Sequence, residues 1–281
     1  MRPSSQVIDR VTRTAPLGVC FRDEVSGAVV GEGLAVSAYP QGQPSSRRSS
    51  VVNRSGIHVL MDLPGLRELE FGAGDAAWWQ GLTGRKRYTV EVRDEQHRFL
   101  PLSFQVDLPH RGLFQLDQRP FVPLFSAPAR QVESTLAVVR AELWDTQAKA
   151  PAAWALVQAT LPGGRQVRGV ADEEGRVALF FQYPAPVDSP TGPPPPSGSP
   201  PLLEQQWTLR LRAFHAHRAP GPELPDLRDT LRQLDSAPAR LWPNLDGPQE
   251  LLEPTLLYGR ELVVRTEGEP RSRLRLTGSP L

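Results

Sequence analysis

The sequence predicts a mostly β protein with two tandem Greek-key β-sandwich modules, transthyretin-like or immunoglobulin-like, and one short helix in the C-terminal half. Three observations support this prediction. The chain of 281 residues contains 30 prolines and 23 glycines, which separate many short runs. Most of these runs alternate apolar and polar residues, and one strand–turn pattern occurs twice. Proline and glycine at this density favour tight connections between short strands over long helices.

The clearest strand lies between Phe99 and Leu108. Every second residue from Leu100 to Leu108 is apolar, and a period of two places these residues on one face of a sheet. Pro101, which points to the other face, indicates the start of a strand or an edge position. Shorter alternating runs predict further strands at 57–63, 87–93, 207–212 and 273–276.

One short amphipathic helix is predicted at residues 224–235. Four leucines follow helical spacing there, and Pro225 falls where the first turn of a helix tolerates proline. The helical leucines are Leu224, Leu227, Leu231 and Leu234. Loops are predicted at Gln41–Ser50 and Ser189–Pro201, because these segments are too polar or too rich in proline to pack a core.

An internal repeat sets the expected domain boundaries. In the first copy Asp23 ends a strand, and a turn at Asn53–Gly56 leads into a later one. Asp145 and the turn Asp172–Gly175 take the same places in the second copy. An Asn or Asp side chain accepts backbone N–H groups in such a turn, and the glycine supplies a positive φ. We therefore expect an N-terminal arm at 1–15, a first module at 16–118, a linker at 119–130, and a second module at 131–281 with a Pro-rich loop at 189–201.

The order of these elements resembles that of carboxypeptidase-regulatory-like modules. The second copy carries the resemblance better, in Asp145 and Asp172–Leu179, whereas the first copy has Asn53 and Ser55. The resemblance implies a transthyretin-like Greek-key sandwich with a non-catalytic accessory role. The order of the whole chain is also similar to structural proteins encoded with phage-tail-like contractile injection systems. The similar segments are LFSAPAR, GVADEEGRVALFFQYP and LLYGRELVVRT.

The composition argues against several classes of protein. The 32 basic and 31 acidic residues give a net charge of +1, without the basic excess that is typical of nucleic-acid binders. The one cysteine, Cys20, excludes an intramolecular disulfide, and its alternating run predicts a packed strand residue. The N-terminus lacks the apolar core of a signal peptide, and no apolar run is long enough to span a membrane. These features predict a cytoplasmic protein without a membrane span.

The sequence shows no motif for catalysis. The nucleophile elbow G-x-S-x-G, the phosphate loop G-x-x-x-x-G-K-[ST], the dinucleotide fingerprint G-x-G-x-x-G and the zinc motif H-E-x-x-H do not occur. His215 and His217 would share one face of a strand and could present two imidazoles to a metal. The sequence offers no third ligand, and a solvent-facing strand end is the simpler interpretation. We therefore predict no catalytic residue, no cofactor, no metal site and no enzymatic activity.

These patterns together favour a non-enzymatic structural or adaptor subunit that packs against other protein subunits of a larger assembly. A phage-tail-like contractile injection system is the specific hypothesis. The alternative is a β-sandwich module that binds carbohydrate or cell-envelope material, for which exposed aromatic residues on one sheet would be the sign. A hydrolase with an unrecognised site is a third hypothesis. The candidate interaction surface consists of Trp78, Trp79, Leu227, Arg260, Arg273 and Arg275.

Overall fold

The computed structural model describes residues 13–71, 84–185, 204–216 and 224–278. The described chain is mostly β, with several sheets and one short α-helix, which confirms the predicted fold class. None of the helices in these ranges is long and apolar enough to cross a membrane.

The chain forms two compact units. The first contains the described residues up to Arg22 and those of Ala28–Glu95 and Pro101–Pro123. The second contains Asp23–Gly27, Gln96–Leu100 and the described residues from Leu124 onward.

Two four-stranded sheets form the first unit. The strands up to Leu124 are β1 (Leu17–Asp23), β2 (Leu34–Pro40), β3 (Arg48–Ser49), β4 (Val51–Val52), β5 (Ile57–Leu60), β6 (Lys86–Asp94), β7 (Leu102–Leu108) and β8 (Val122–Leu124). Short 3-10 helices lie at Pro44–Ser46 and Arg67–Phe71. The strand orders are β4-β5-β1-β8 and β3-β2-β6-β7. Because β1 pairs with β5 and β2 with β6, the chain crosses between the sheets as Greek-key connections require.

The alternation in the sequence accounts for the core of this unit. Leu17, Val19 and Phe21 of β1 are fully buried, and the residues between them are more exposed. The strand that the sequence predicts between Phe99 and Leu108 begins at Leu102 in the structure. Pro101 therefore precedes the strand and removes no ladder hydrogen bond.

The predicted linker 119–130 contains a strand. All three residues of β8 are buried, although Pro123 is one of them. Proline is tolerated there because β8 is the edge strand of its sheet, where one backbone N–H can be missing. The predicted loop Gln41–Ser50 is likewise not wholly irregular, since it contains the first 3-10 helix and β3. The division into an arm, two modules and a linker stays a prediction.

The second unit is organised around the long strand β9. Its strands are β9 (Leu136–Asp145), β10 (Ala150–Pro151), β11 (Leu156–Thr160), β12 (Gln166–Val170), β13 (Arg176–Gln182), β14 (Gln206–Thr208), β15 (Arg210–Phe214), β16 (Arg240–Leu241), β17 (Thr255–Leu257), β18 (Leu262–Val263) and β19 (Leu274–Thr277). One edge of β9 pairs antiparallel with β13 and β10, and the other edge pairs parallel with β18 and β19. A second sheet, β12-β11-β15, and the pair β14-β17 complete the unit.

The repeat is visible in the register of the strands. Cys20, three residues before Asp23, pairs with Ile57, which lies four residues after Asn53. In the second unit Glu142, three residues before Asp145, pairs with Arg176, four residues after Asp172. The two turns therefore occupy equivalent places relative to the first strand of each copy.

The helix, α1 (Leu227–Arg232), begins later than predicted. Asp226 has an extended backbone, and its side chain accepts the N–H groups of Arg228 and Asp229. This N-cap fixes the first helical residue as Leu227 and leaves Pro225 outside the helix. A 3-10 helix at Gln233–Asp235 then carries the helical segment to its predicted end.

Candidate functional site

Among the described residues of the first unit, three valines form an exposed apolar edge. It consists of β4 and the neighbouring Val29, and we call it the open edge. Val51 is 72% exposed, Val29 51% and Val52 39%. Such exposure is unusual for β-branched residues that lie within or beside a sheet.

Two glycines give the open edge its shape. A Cβ on Gly31 would lie 2.7 Å from Gly56 Cα and 3.3 Å from Val52 Cγ1. A Cβ on Gly56 would lie 2.9 Å from Val29 Cγ1, and Gly56 has a φ of +74°. Glycine at both positions therefore lets the segment around Val29 approach the turn that follows β4, so that Val29 and Val52 flank the same two glycines.

The turn at Asn53–Gly56 holds β4 against β5. The Asn53 side-chain oxygen accepts the N–H of Ser55 at 2.9 Å and that of Ile57 at 3.0 Å. The backbone N–H of Asn53 donates to the carbonyl of Ile57 at 2.9 Å. In the second unit Asp172 makes the same contacts with the N–H groups of Glu174 and Arg176. The sequence-predicted turn chemistry is thus present in both copies.

Positive charge flanks the open edge. The stretch from Arg47 to Gly56 contains three arginines and no acidic residue. Arg47 forms an ion pair with Glu91 at 2.6 Å. The hydrogen bond from Arg13 lowers the pKa of Asp62 below its usual value, and the positive charge of Arg48 contributes to the same shift. Arg54 has no ion-pair partner among the described residues.

The residues of the predicted interaction surface lie in different environments. Leu227 is 3% exposed and, with Thr230, is one of the two buried residues of α1, so it is not part of an exposed surface. The Arg273 guanidinium lies 3.9 Å from the centre of the Trp144 ring and pairs with Glu142 at 2.5 Å. The Arg273 guanidinium therefore already has an ion-pair partner and an aromatic contact within the chain.

The other predicted surface residues are less constrained. Arg260 is exposed, whereas Arg275 is half-buried, over the Trp242 ring and 3.9 Å from Glu269. Trp78 and Trp79 lie outside the described residues. The open edge was missed because Val51-Val52 follows a polar stretch that predicts a loop. Its signal in the sequence is a pair of β-branched residues directly before an Asn-x-x-Gly turn.

The tryptophans that the structure describes do not form an exposed row. Trp207 is buried, and the rings of Trp144, Trp154 and Trp242 are half-buried. Trp207 instead donates its indole N–H to the Ala185 carbonyl at 3.2 Å. The described tryptophans therefore do not favour a sugar-stacking platform.

The repeat aspartates lie in the interior of the second unit, each beside a basic residue. Asp23 forms a bidentate pair with Arg130, at 2.8 Å and 3.0 Å. Asp145 Oδ2 lies 3.2 Å from His215 Nε2, and both side chains are almost completely buried. The sequence interpretation placed His215 at a solvent-facing strand end, and this was wrong because its side chain is almost completely buried. His217 lies outside the described residues, and these residues contain no group of three metal-binding side chains.

A buried histidine lies directly behind the open edge. His58 of β5 is 0% exposed, its Nδ1 is 2.9 Å from Ser50 Oγ, and its ring packs edge-on against Phe21 at 5.1 Å. Burial lowers the pKa of His58 below the usual 6.5, against an opposing hydrogen bond with the Gly31 backbone. The imidazole is therefore neutral in the folded protein near pH 7.

This burial predicts a loss of stability in mild acid. The unfolded chain binds a proton at His58 more readily than the folded chain, so the contribution of this residue is complete above pH 6.5 and falls as the pH drops below it. Denaturant unfolding between pH 8 and pH 5 should show a smaller decrease for His58→Gln than for the native sequence. The exposed His97→Asn variant should retain the full decrease, and an equal decrease in all three proteins would contradict the prediction.

Comparisons with known proteins leave the family open. No model of a known protein family matches the chain, and no curated protein matches it in sequence. Similar solved structures include the shaft pilin SpaA of Lactobacillus rhamnosus GG, with 9% identity over 97% of this chain and 99% of that chain, at a TM-score of 0.23. A minor pilin of Streptococcus agalactiae has 8% identity over 94% of this chain and 98% of that chain, at a TM-score of 0.22. The C-terminal fragment of the pilus adhesin SpaC from L. rhamnosus GG has 9% identity over 94% of this chain and 97% of that chain, at a TM-score of 0.24.

TM-scores this low carry no argument about function. The resemblances to carboxypeptidase-regulatory-like modules and to phage-tail-like injection-system proteins gain no support from these comparisons. The physical reason is that Asn or Asp turns closed by glycine stabilise hairpins in many unrelated β proteins, so this turn chemistry does not identify a family.

Proposed function

We propose that this protein is a non-enzymatic structural or adaptor subunit of a larger protein assembly, which it joins through protein–protein packing. The observation that carries the proposal is the open edge, where Val29, Val51 and Val52 are exposed beside ordered strands. Exposed apolar side chains that lie close together on a folded unit mark candidate contact sites for a partner protein.

A phage-tail-like contractile injection system remains the specific hypothesis from the sequence, together with a cytoplasmic location. The alternative, a module that binds carbohydrate or cell-envelope material, is not favoured by the described tryptophans, and Trp78 and Trp79 lie outside the described residues.

The proposal predicts that the protein enters a particle in the cells that encode it. A tagged full-length chain should sediment with that particle at a fixed stoichiometry, as measured by quantitative mass spectrometry of gradient fractions. Deletion of the gene should abolish or deform the particles in electron micrographs, and the native gene supplied in trans should restore them. Normal, functional particles from the deletion strain would contradict the proposal, as would sedimentation only as a free chain.

A further inference from the structure

We propose that an arginine-rich sheet face of the second unit binds another protein subunit through an acidic surface of that subunit. The face belongs to the sheet β12-β11-β15, and we call it the arginine face. It is separate from the open edge, which belongs to the first unit. The inference rests on the proposed function, because it specifies the chemistry of a partner within the assembly.

The register of the strands places three arginines on one face of this sheet. Gln158 of β11 lies between Arg168 of β12 and Arg212 of β15, and Thr160 lies opposite Arg210. Side chains alternate between the two faces of a strand, and the residues between Gln158 and its neighbours along β11 point into the core. From standard strand spacings, the backbones of Arg168 and Arg212 are about 10 Å apart, and Arg210 follows about 7 Å along β15.

The arginine face is the exposed part of its side of the sheet. Arg210 and Arg212 are exposed, and Arg168 is half-buried. At the other end of the same side, three apolar residues are buried, and the C-cap residue of α1, Gln233, donates to the Trp154 carbonyl at 2.9 Å. The three buried residues are Leu156, Val170 and Phe214. One end of this side is therefore covered, whereas the arginines remain accessible.

The positive charge of the arginine face is not balanced within the described chain. Residues 156–170 and 205–216, which include all three strands, contain no acidic residue. Arg168 and Arg212 form no ion pair with any described residue. Arg210 pairs with Glu253 at 3.1 Å, but both side chains are more than half exposed, and such pairs contribute little stability.

The first unit provides a contrast. On the outer face of the sheet β3-β2-β6-β7, Arg87 lies opposite Asp107 and pairs with it at 3.0 Å. Arg47 pairs with Glu91 of the same sheet at 2.6 Å. That face therefore balances its own charge. The arginine face does not, and arginine is enriched at protein–protein interfaces.

The composition of the arginine face favours a protein carboxylate as the partner group. A guanidinium group binds a carboxylate through two parallel hydrogen bonds, and the amide of Gln158 and the hydroxyl of Thr160 can add further ones. In the described structure no exposed aromatic ring lies between the arginines, so a nucleobase would have no ring to stack on. A second copy that used the same face would bring arginine against arginine, which is unfavourable.

The test uses the full-length protein and two synthetic peptides. The first peptide is Thr-Glu-Thr-Glu-Thr-Glu-Thr, and the second has lysine in place of every glutamate. In fluorescence anisotropy the acidic peptide should bind at least tenfold more tightly than the basic one, and more weakly as the salt concentration rises. Arg168→Glu combined with Arg212→Glu should weaken binding of the acidic peptide at least tenfold.

A matched double substitution separates the arginine face from the overall charge. Arg265→Glu combined with Arg271→Glu changes the net charge by the same amount, and both arginines are exposed outside the sheet β12-β11-β15. It should alter the affinity for the acidic peptide by less than about twofold. Arg168→Gln combined with Arg212→Gln keeps polar side chains and should still weaken binding. Unchanged melting temperatures would show that all variants fold.

Several results would overturn the inference. These are equal affinity for the two peptides, undiminished binding by the Arg168→Glu and Arg212→Glu variant, and an equal loss in the matched control. Tighter binding of a single-stranded oligonucleotide with the same number of charges would also overturn it and identify nucleic acid as the partner. If the native chain and this variant sediment equally with particles, the inference fails and the proposed function stands. If the native chain enters no particle, the proposed function itself fails.

Discussion

Replacing Gly175 with alanine is expected to destabilise the protein by about 4 kcal/mol, which is at the high end for a point substitution. Gly175 has a φ of +78°, and a Cβ there would overlap the carbonyl oxygen of Leu143 and lie 3.2 Å from the Ala152 nitrogen. Both are backbone atoms, one in β9 and one directly after β10, so relief of the overlap would disturb the pairing of these strands. The Leu143 N–H donates to the Gly175 carbonyl at 2.7 Å, and the Ala152 N–H donates to Leu143 at 3.0 Å.

A second glycine serves as the matched control. Gly163 has a φ of +87°, but no atom lies within 4 Å of an added Cβ. Gly163→Ala therefore tests the left-handed backbone alone, which costs about 1 kcal/mol. Urea unfolding of both variants would measure the difference. A similar loss for the two would show that steric overlap at Gly175 is not the main cause.

Removal of the Asp23 carboxylate is also expected to cost about 4 kcal/mol, because it leaves Arg130 buried without its ion-pair partner. The Asp23 and Arg130 side chains are 5% and 16% exposed. Arg130 also donates to Ser126 Oγ at 2.8 Å and lies 4.9 Å from the centre of the Phe99 ring. Asp23→Ala would in addition release the N–H of Val25, which the carboxylate accepts at 3.0 Å.

A double-mutant cycle measures this pair directly. Asp23→Ala combined with Arg130→Met should lose much less stability than the sum of the single changes, since neither charge is then left buried. The exposed pair of Arg87 and Asp107, with side chains 55% and 50% exposed, is the control and should couple by less than about 1 kcal/mol. Additive effects at Asp23 and Arg130 would contradict the prediction.

The same carboxylate should contribute to acid denaturation. Burial by itself would raise the pKa of Asp23, but hydrogen bonds from Arg130, Val25 and Ser26 outweigh it and hold the pKa below the usual 3.8. The stabilisation is therefore present above pH 3.8 and is lost as the pH falls through the lower folded-state pKa. Asp23→Asn should flatten the stability profile in this acidic range.

The site could be anticipated from the sequence only in part. The Asn53–Gly56 turn was predicted from its residue types, because its hydrogen bonds and positive φ are confined to a few adjacent residues. The exposure of Val51 and Val52 was not predicted, because adjacent valines fit a buried strand as well as an exposed one. Conversely, Leu227 was expected on a surface and is buried, and Arg273 pairs with Glu142, which is remote in sequence.

The sequence by itself determined the local structure of this protein. Alternation with a period of two located strands such as β6 and β7, helical leucine spacing located α1, and paired turn residues revealed the repeat. Only the tertiary structure decided that β18 and β19 pair in parallel with β9, that β8 replaces part of the expected linker, and that β4 is left at an edge. Periodicity and turn chemistry depend on neighbouring residues, so the sequence shows them directly. Whether a strand edge is paired or a side chain is buried depends on segments that can lie more than a hundred residues away, such as β19 beside β9.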